Sequence, residues 1–253
     1  MQDVADMVGG AGEARVIFKK IDSTLRGNIR AEIEAAMKVF QRSRAIVTPA
    51  FPDLGRTVKG GCLYVNGVNT GKTGGVDLLD AETNQDLDKI VSAAMRDARQ
   101  VLWAGSGGLA GALARRLYGE QKRRSAPRTE GAIIYCIGSD HPATLAQLTE
   151  LQRRCSDAMV VPIHRARTTP EEIRRALAGA AAVFLTGGDT AAKVLDAIGA
   201  QRIVIRQEIA TGVPWGVLRG GILDGRVVVT KSGGFGGPDT LIQVADFCLR
   251  HRR

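Results

Sequence analysis

Short apolar runs alternate with amphipathic segments along the whole chain. The first such unit is an apolar run, a polar loop and the segment 29–40, where apolar residues recur every three or four positions. This spacing predicts a strand, a loop and a helix that is capped by Gly27 or Asn28. Asn66 and Gly67, between apolar flanks, predict a hairpin with a type I′ turn. The first half is thus predicted to contain strands at 16–18, 45–48, 76–79 and 101–104, and helices at 29–40, 84–98 and 109–117.

The second half repeats the order of strand, loop and helix. Pro142 suits the first turn of a helix, and Thr169 with Glu172 has the spacing of a capping box. A polar, basic stretch at 119–131 has no apolar period and is interpreted as an interdomain linker. The predicted strands are 133–137, 159–161, 182–185, 202–205, 215–218 and 226–230, and the predicted helices include 143–153 and 239–249.

This alternation predicts an α/β protein of two domains, each with a mainly parallel sheet flanked by helices. The domains are expected at 1–121 and 130–253. In such sheets ligands bind beyond the carboxyl ends of the strands, where the loops gather.

Composition narrows the classes of function. The chain has 253 residues, of which 44% are hydrophobic and 24% charged, as in an ordinary globular protein. No apolar run approaches a membrane span and the start has no signal-peptide pattern, so a cytoplasmic protein without a membrane partner is expected. Much of the net charge of +9 lies in two basic clusters and only 4% of residues are aromatic, so no nucleic-acid partner is expected. The dispersed cysteines and histidines predict no metal site.

Three loops rich in small residues follow predicted strands of the second half, at 138–139, 187–190 and 232–236. Glycine lets the backbone approach a ligand, and the hydroxyls of Ser139 and Thr190 are donors for phosphate oxygens. Asp189 could hold a ribose hydroxyl, hold a water on a magnesium ion, or cap the next helix. Together the loops favour a phosphate or nucleotide site, while the P-loop and dinucleotide motifs are both absent.

The loop at 19–28 offers a second candidate site in the first half. Arg26 has a planar fork suited to a carboxylate or phosphate, beside the free N–H groups of a helix start. A solvated turn, with Asp22 paired to a neighbouring lysine, explains the same residues. No catalytic residue can be named from the sequence.

Several stretches resemble the four-carbon acid sugar kinase family: KIDSTLRGN at 20–28, PAFP at 49–52 with GRT at 55–57, GGDT at 187–190 and KSGGFG at 231–236. The resemblance covers nearly the whole chain. It implies phosphorylation of threonate, erythronate or an oxo-tetronate, with ATP and Mg²⁺ as cofactors. It also implies an N-terminal domain that binds the sugar acid and a C-terminal domain that binds the nucleotide.

Carried over residue by residue, the resemblance implies that Asp22 and Arg26 contact the sugar acid. The nucleotide contacts that it implies are Ser139, Gly187, Gly188, Asp189, Thr190, Gly233 and Gly236. The sequence leaves the oligomeric state open, and a homodimer is one of the alternatives.

The chain departs from the family pattern in two places. Nothing before Ala14 resembles the family's Asp-Asp-x-Thr-Gly loop, and 70–75 stands where relatives carry a longer segment. An incomplete N-terminal domain is therefore expected. Two hypotheses follow: a sugar-acid kinase impaired by the missing segment, or a non-catalytic protein that binds a nucleotide or a sugar acid.

Overall fold

The structure is a computed structural model that describes residues 14–119 and 131–249. It divides into two compact units, Met1–Gln121 and Lys122–Arg253, called here the N-terminal and C-terminal units. Within the described ranges, no helix is both long and apolar enough to cross a membrane.

The N-terminal unit is built on a three-stranded parallel sheet with β6 between β1 and β2. Its strands are β1 (Ile17–Lys20), β2 (Arg44–Thr48) and β6 (Val101–Gly105), and its helices are α1 (Ile29–Val39), α2 (Asn84–Ala94) and α3 (Gly107–Tyr118). All five residues of β6 are buried, because this strand is covered on both edges and both faces. The apolar face of α1 contributes Ile29 and Ile33 to the same core.

A small antiparallel sheet follows β2 and confirms the predicted hairpin. It consists of β3 (Arg56–Lys59), β4 (Cys62–Val65) and β5 (Val68–Asn69). Asn66 and Gly67 connect β4 to β5 with φ angles of 50° and 80°, the left-handed conformation that a type I′ turn needs at both positions.

The strand predicted at 76–79 is wrong. The backbone there makes only one recorded bond to the sheet, from the N–H of Leu79 to the carbonyl of Val47. Gly74 and Gly75, both with positive φ, lead into the segment. After it, the carboxylate of Asp80 accepts the N–H groups of Gly60 and Gly61, in the turn between β3 and β4. Of the apolar side chains that suggested a strand, Leu78 is buried and Val76 packs against the same core, whereas Leu79 is exposed.

The cap of α1 and the end of α2 differ in detail from the prediction. Asn28 does occupy the N-cap of α1, but its side chain makes no capping hydrogen bond. The helix predicted at 84–98 ends at Ala94 and continues as a short 3-10 turn, Met95–Asp97.

The C-terminal unit has a six-stranded sheet in the order β10-β11-β12-β9-β7-β8. Its strands are β7 (Ile133–Ile137), β8 (Met159–Pro162), β9 (Ala182–Thr186), β10 (Arg202–Ala210), β11 (Val213–Arg219) and β12 (Val227–Lys231). Its helices are α4 (Pro142–Arg154), α5 (Pro170–Leu177), α6 (Gly188–Ala197) and α7 (Thr240–Leu249). Strands β12, β9, β7 and β8 are parallel, whereas β11 runs antiparallel to both of its neighbours, β10 and β12.

Helices cover both faces of this sheet, so side chains of the central strands alternate between two cores. Val183 and Leu185 of β9 pack with α5 and α6, while Phe184 packs with α4 and α7. The predicted capping box forms, since Thr169 and Glu172 exchange side-chain and backbone bonds at the start of α5. Pro142 is in the first turn of α4, as predicted.

Candidate functional site

Three loops of the C-terminal unit begin at the carboxyl ends of three neighbouring parallel strands. Ile137 of β7, Thr186 of β9 and Lys231 of β12 lie side by side in the sheet. The N–H of Gly187 donates to the carbonyl of Lys231 at 2.9 Å, which ties the second loop to the third. The three loops predicted from the sequence therefore share one edge of the sheet, where open α/β sheets bind ligands.

The predicted contact residues of these loops meet at close range. A methyl group placed on Gly138 would overlap the hydroxyl of Thr190, and one placed on Gly233 would overlap that of Ser139. A methyl group on Gly187 would lie 3.6 Å from the Thr190 hydroxyl. Glycine is needed at Gly138 and Gly233 because a side chain would fill the space between the loops, and at Gly187 because of its φ of 90°.

Gly188 and Gly236 have different surroundings. Gly188 is the first residue of α6, and a methyl group there would meet nothing within 4 Å. Gly236 has a φ of 81°, and a methyl group on it would overlap the side chain of Thr240 at the start of α7. Gly236 thus shapes the junction with α7, whereas Gly188 faces open space at the head of α6.

Asp189 is not a helix cap, because the N-cap of α6 is Gly187. Its carboxylate pairs with Arg165 at 3.0 Å, and both side chains are largely exposed. Arg165 follows β8 and is held beside α6 by Lys193, whose ammonium donates to the backbone carbonyls of His164 and Arg165. This loop after β8 brings positive charge to the edge of the site.

The site offers backbone N–H groups to an anion. The first three N–H groups of α6 have no acceptor within the helix, and the helix dipole adds partial positive charge there. In the part of the chain that the structure describes, the N–H groups of Gly233 and Gly234 have no recorded acceptor either. With the hydroxyls of Ser139 and Thr190, these donors and the space left by absent side chains fit a phosphate group.

His141 and Lys231 complete the site, although sequence reasoning assigned neither a role. His141 caps α4 through Nδ1, which accepts the N–H of Ala143, and its ring lies against Gly234. Lys231 is only 4% exposed, and its ammonium donates to Thr144 and to backbone carbonyls of the third loop. Alternation along β12 could have revealed this burial, since Lys231 falls on the same face as the core residue Val229.

Burial lowers the pKa of Lys231 from 10.5 to about 8. An unfolded chain keeps the ordinary pKa, so between about pH 8 and pH 10.5 the unfolded state binds more protons than the folded state. The contribution of Lys231 to stability is therefore full above pH 10.5 and is lost as the pH falls through 8. Relative to Lys231→Met, the free energy of unfolding of the wild type should rise with pH in this window by roughly 1 kcal/mol per unit. Urea unfolding of both proteins at pH 7, 8.5 and 10 measures this difference, and a constant difference would contradict the prediction.

In the N-terminal unit, the candidate residues Asp22 and Arg26 bind each other. The guanidinium of Arg26 donates from Nε to Oδ1 of Asp22 at 3.1 Å and from Nη2 to Oδ2 at 2.8 Å. Asp22 also accepts the N–H and the hydroxyl of Thr24. The hydrogen bonds from Arg26, above all, hold the pKa of Asp22 well below its usual range. The alternative of a pair between Asp22 and a lysine is wrong, because the partner is Arg26.

This pair lies at the carboxyl edge of the N-terminal sheet. The N–H of Ile21 donates to the carbonyl of Gly105 at the end of β6, so the loop after β1 begins beside the start of α3. The hydroxyl of Ser106 donates to the carbonyls of Pro49 and Ala50, which fixes the loop after β2 at the same edge. Arg26 is 78% exposed and therefore free to exchange Asp22 for another carboxylate.

Two regions of the chain match known domain families. Residues 1–77 match the sugar-binding N-terminal domain and residues 171–241 match the nucleotide-binding C-terminal domain. The D-threonate kinase of Bordetella bronchiseptica is 31% identical over 319 residues, which cover 94% of this chain and 78% of that enzyme. The chain belongs to the four-carbon acid sugar kinase family. As a member of this family of kinases, it is a phosphotransferase.

Other relatives of this four-carbon acid sugar kinase agree with the assignment. A D-erythronate kinase of Heliobacterium modesticaldum is 49% identical over 51 residues, or 20% of this chain and 12% of that protein. The crystal structure of Haemophilus influenzae protein HI1011 has a TM-score of 0.65 and 17% identity, with 94% of this chain and 83% of that chain covered. The likeness to HI1011 concerns the fold alone, and it agrees with the predicted α/β architecture.

The region of similarity to the Bordetella enzyme is longer than this chain. It extends over 319 residues, more than the 253 of this kinase, so some positions of the relative have no counterpart here. The predicted shortening at 70–75 would account for such positions and stays a prediction.

Proposed function

We propose that this chain phosphorylates a hydroxyl group of threonate, erythronate or an oxo-tetronate with ATP and Mg²⁺. One observation supports a nucleotide site: three loops lie close together at the ends of three parallel strands, and they contribute Ser139, Gly187, Thr190 and Gly233. Hydroxyl groups, free N–H groups and a helix start are donors that suit the phosphates of a nucleotide. The relatives' names favour threonate as the first substrate to test.

In this proposal the C-terminal unit positions the nucleotide. The N–H groups at the start of α6 and the hydroxyls of Ser139 and Thr190 bind phosphate oxygens. Bound Mg²⁺ would supply charge neutralisation on the phosphates, which is its usual part in phosphoryl transfer. No group of three or more His, Cys, Asp or Glu side chains within 14–119 or 131–249 is placed to hold a metal ion. Asp189, at the head of α6, is the carboxylate that we assign to a water on this ion.

The N-terminal unit positions the sugar acid. Arg26 exchanges the carboxylate of Asp22 for the carboxylate of the substrate, to which its fork can donate two parallel hydrogen bonds. Asp22, released from Arg26, then accepts a hydrogen bond from a substrate hydroxyl. The observation that supports this assignment is the bidentate geometry already present between the two residues, since a substrate carboxylate has the same shape.

A coupled assay of ADP release tests the proposal. The purified chain is incubated with Mg·ATP and, in turn, D-threonate, D-erythronate and a 2-oxo-tetronate, and phosphorus NMR identifies the product. We expect turnover of at least one acid and none without an acid. Saturable ADP binding without turnover would instead support the non-catalytic binding protein, and absence of both would remove the proposal.

A further inference from the structure

Lys231 is a buried cation, and within 14–119 and 131–249 no carboxylate pairs with it. No ion pair of its ammonium is recorded in the described part of the chain. Its Nζ instead donates to the carbonyls of Ser232, Gly233 and Phe235 at 2.9, 3.0 and 3.2 Å. Burying a charge is unfavourable unless hydrogen bonds compensate it, and here the compensation comes from the backbone of the third loop.

Two side chains of α4 hold the same loop. The hydroxyl of Thr144 donates to the carbonyl of Gly233 at 2.8 Å and lies 3.3 Å from the Lys231 ammonium. The amide of Gln147 lies 3.0 Å from each of the carbonyls of Phe235, Gly236 and Gly237. Thr144 and Gln147 are both fully buried, so these contacts are shielded from water. Every peptide carbonyl from Ser232 to Gly237 except that of Gly234 thus has a donor beneath the loop.

Fixing the carbonyls also fixes the direction of the N–H groups. In a trans peptide the carbonyl of one residue and the N–H of the next point in opposite directions. The carbonyls of Ser232, Gly233 and Phe235 point toward Lys231, so the N–H groups of Gly233, Gly234 and Gly236 point away from it. For these three N–H groups the structure records no acceptor among residues 14–119 and 131–249. The N–H of Phe235, which lies between them in sequence, donates to the carbonyl of Ser232 instead. Neighbouring free N–H groups on one side of a loop form a concave anion site.

We propose that Lys231 is a positioning residue for nucleotide binding: with Thr144 and Gln147 it holds the carbonyls of the third loop, so that the N–H groups of Gly233, Gly234 and Gly236 face a phosphate. The inference rests on the proposed nucleotide site and adds to it residues that do not touch the nucleotide. The lysine acts through the backbone, on the side of the loop away from the ligand.

Calorimetric titration with ADP tests the inference on the full chain. Lys231→Met and Thr144→Val each remove donors beneath the loop, whereas Thr144→Ser keeps the hydroxyl. We expect the first two variants to bind ADP about tenfold more weakly, or worse, and Thr144→Ser to bind like the wild type, because a displaced loop loses several phosphate contacts together. Leu177→Ala, a core change on α5, controls for lost stability and should leave ADP affinity unchanged. Wild-type affinity in folded Lys231→Met, or in Thr144→Val should Lys231→Met not fold, would overturn the inference.

Crystal structures of Lys231→Met and Thr144→Val without nucleotide separate this inference from the proposed function. We expect the carbonyls of Gly233 and Phe235 to have turned away from α4. Carbonyls that keep their direction in both variants would overturn the positioning role. Absence of ADP binding by the wild type would contradict the nucleotide site instead, and the orientation of the carbonyls would still decide what Lys231 does.

Discussion

Gly233→Ala is expected to lower the affinity for ADP by about 100-fold or more, since misplaced contacts at a binding site have effects of this size. The added methyl group would lie 3.2 Å from Cβ of Ser139 and 3.3 Å from Cβ of His141. Neither atom can rotate away, because each Cβ is attached directly to the backbone. The first and third loops must therefore separate, and the hydroxyl of Ser139 must leave its place.

Gly237→Ala is the matched control for this change. It lies in the same loop and gains the same methyl group, but that methyl group would meet nothing within 4 Å. Its carbonyl still receives the amide of Gln147. ADP titration of both variants should show a large loss for Gly233→Ala and an affinity within about threefold of the wild type for Gly237→Ala, since an open surface site tolerates a methyl group. Equal losses would mean that loop flexibility, and not the close approach to Ser139, determines binding.

The order of strand, loop and helix could be predicted from the sequence because it depends on local periodicity. The same holds for the hairpin at Asn66 and Gly67 and for the capping box at Thr169, where a few neighbouring residues determine the backbone. The segment 76–79 shows the limit of such patterns. Its apolar residues are compatible with a strand, but whether a strand forms depends on a partner along its length, and Val47 supplies only one hydrogen bond.

The candidate site could be predicted only in part. Loops after parallel strands meet at one edge of a sheet, so the general place of Ser139, Gly187 and Gly233 followed from the topology. The direction of individual groups did not follow. Whether Lys231 pointed to a ligand or away from it depended on α4, whose Thr144 lies 87 positions away along the chain. The different surroundings of Gly233 and Gly236 are likewise a matter of tertiary contacts.

The ion pair between Asp22 and Arg26 is a second feature that could not be predicted from the sequence. The sequence left two alternatives for this loop, an anion site or a solvated turn with Asp22 paired to a lysine, and neither of them paired Asp22 with Arg26. Leu25 has a φ of 57°, a left-handed conformation that is uncommon for leucine and that turns the chain between the two residues. This turn lets Arg26 reach both oxygens of Asp22. Such a backbone conformation is not visible in residue types alone.

Arg26→Ala is expected to reduce kcat/KM for the acid sugar by about 10-fold to 100-fold, the usual cost of a lost hydrogen bond to a charged group. The substitution should change kcat/KM for the acid sugar but leave the KM for ATP unchanged, because Arg26 lies in the N-terminal unit. The free energy of unfolding should change by less than about 1 kcal/mol, since the Arg26 side chain is mostly exposed. Arg26→Lys should recover little activity, because an ammonium keeps the charge but loses the planar fork.

Arg30→Ala provides the matched control. Arg30 is also exposed, and it pairs with Glu34 four residues later at 2.8 Å, as Arg26 pairs with Asp22 four residues earlier. Removing Arg30 takes away an equivalent surface ion pair without touching the candidate site, so kinetics with D-threonate should stay at the wild-type level. If the chain binds D-threonate without turning it over, the same comparison is made by calorimetry. Equal behaviour of Arg26→Ala and Arg30→Ala would show that Arg26 belongs to a solvated turn and that the sugar acid binds elsewhere.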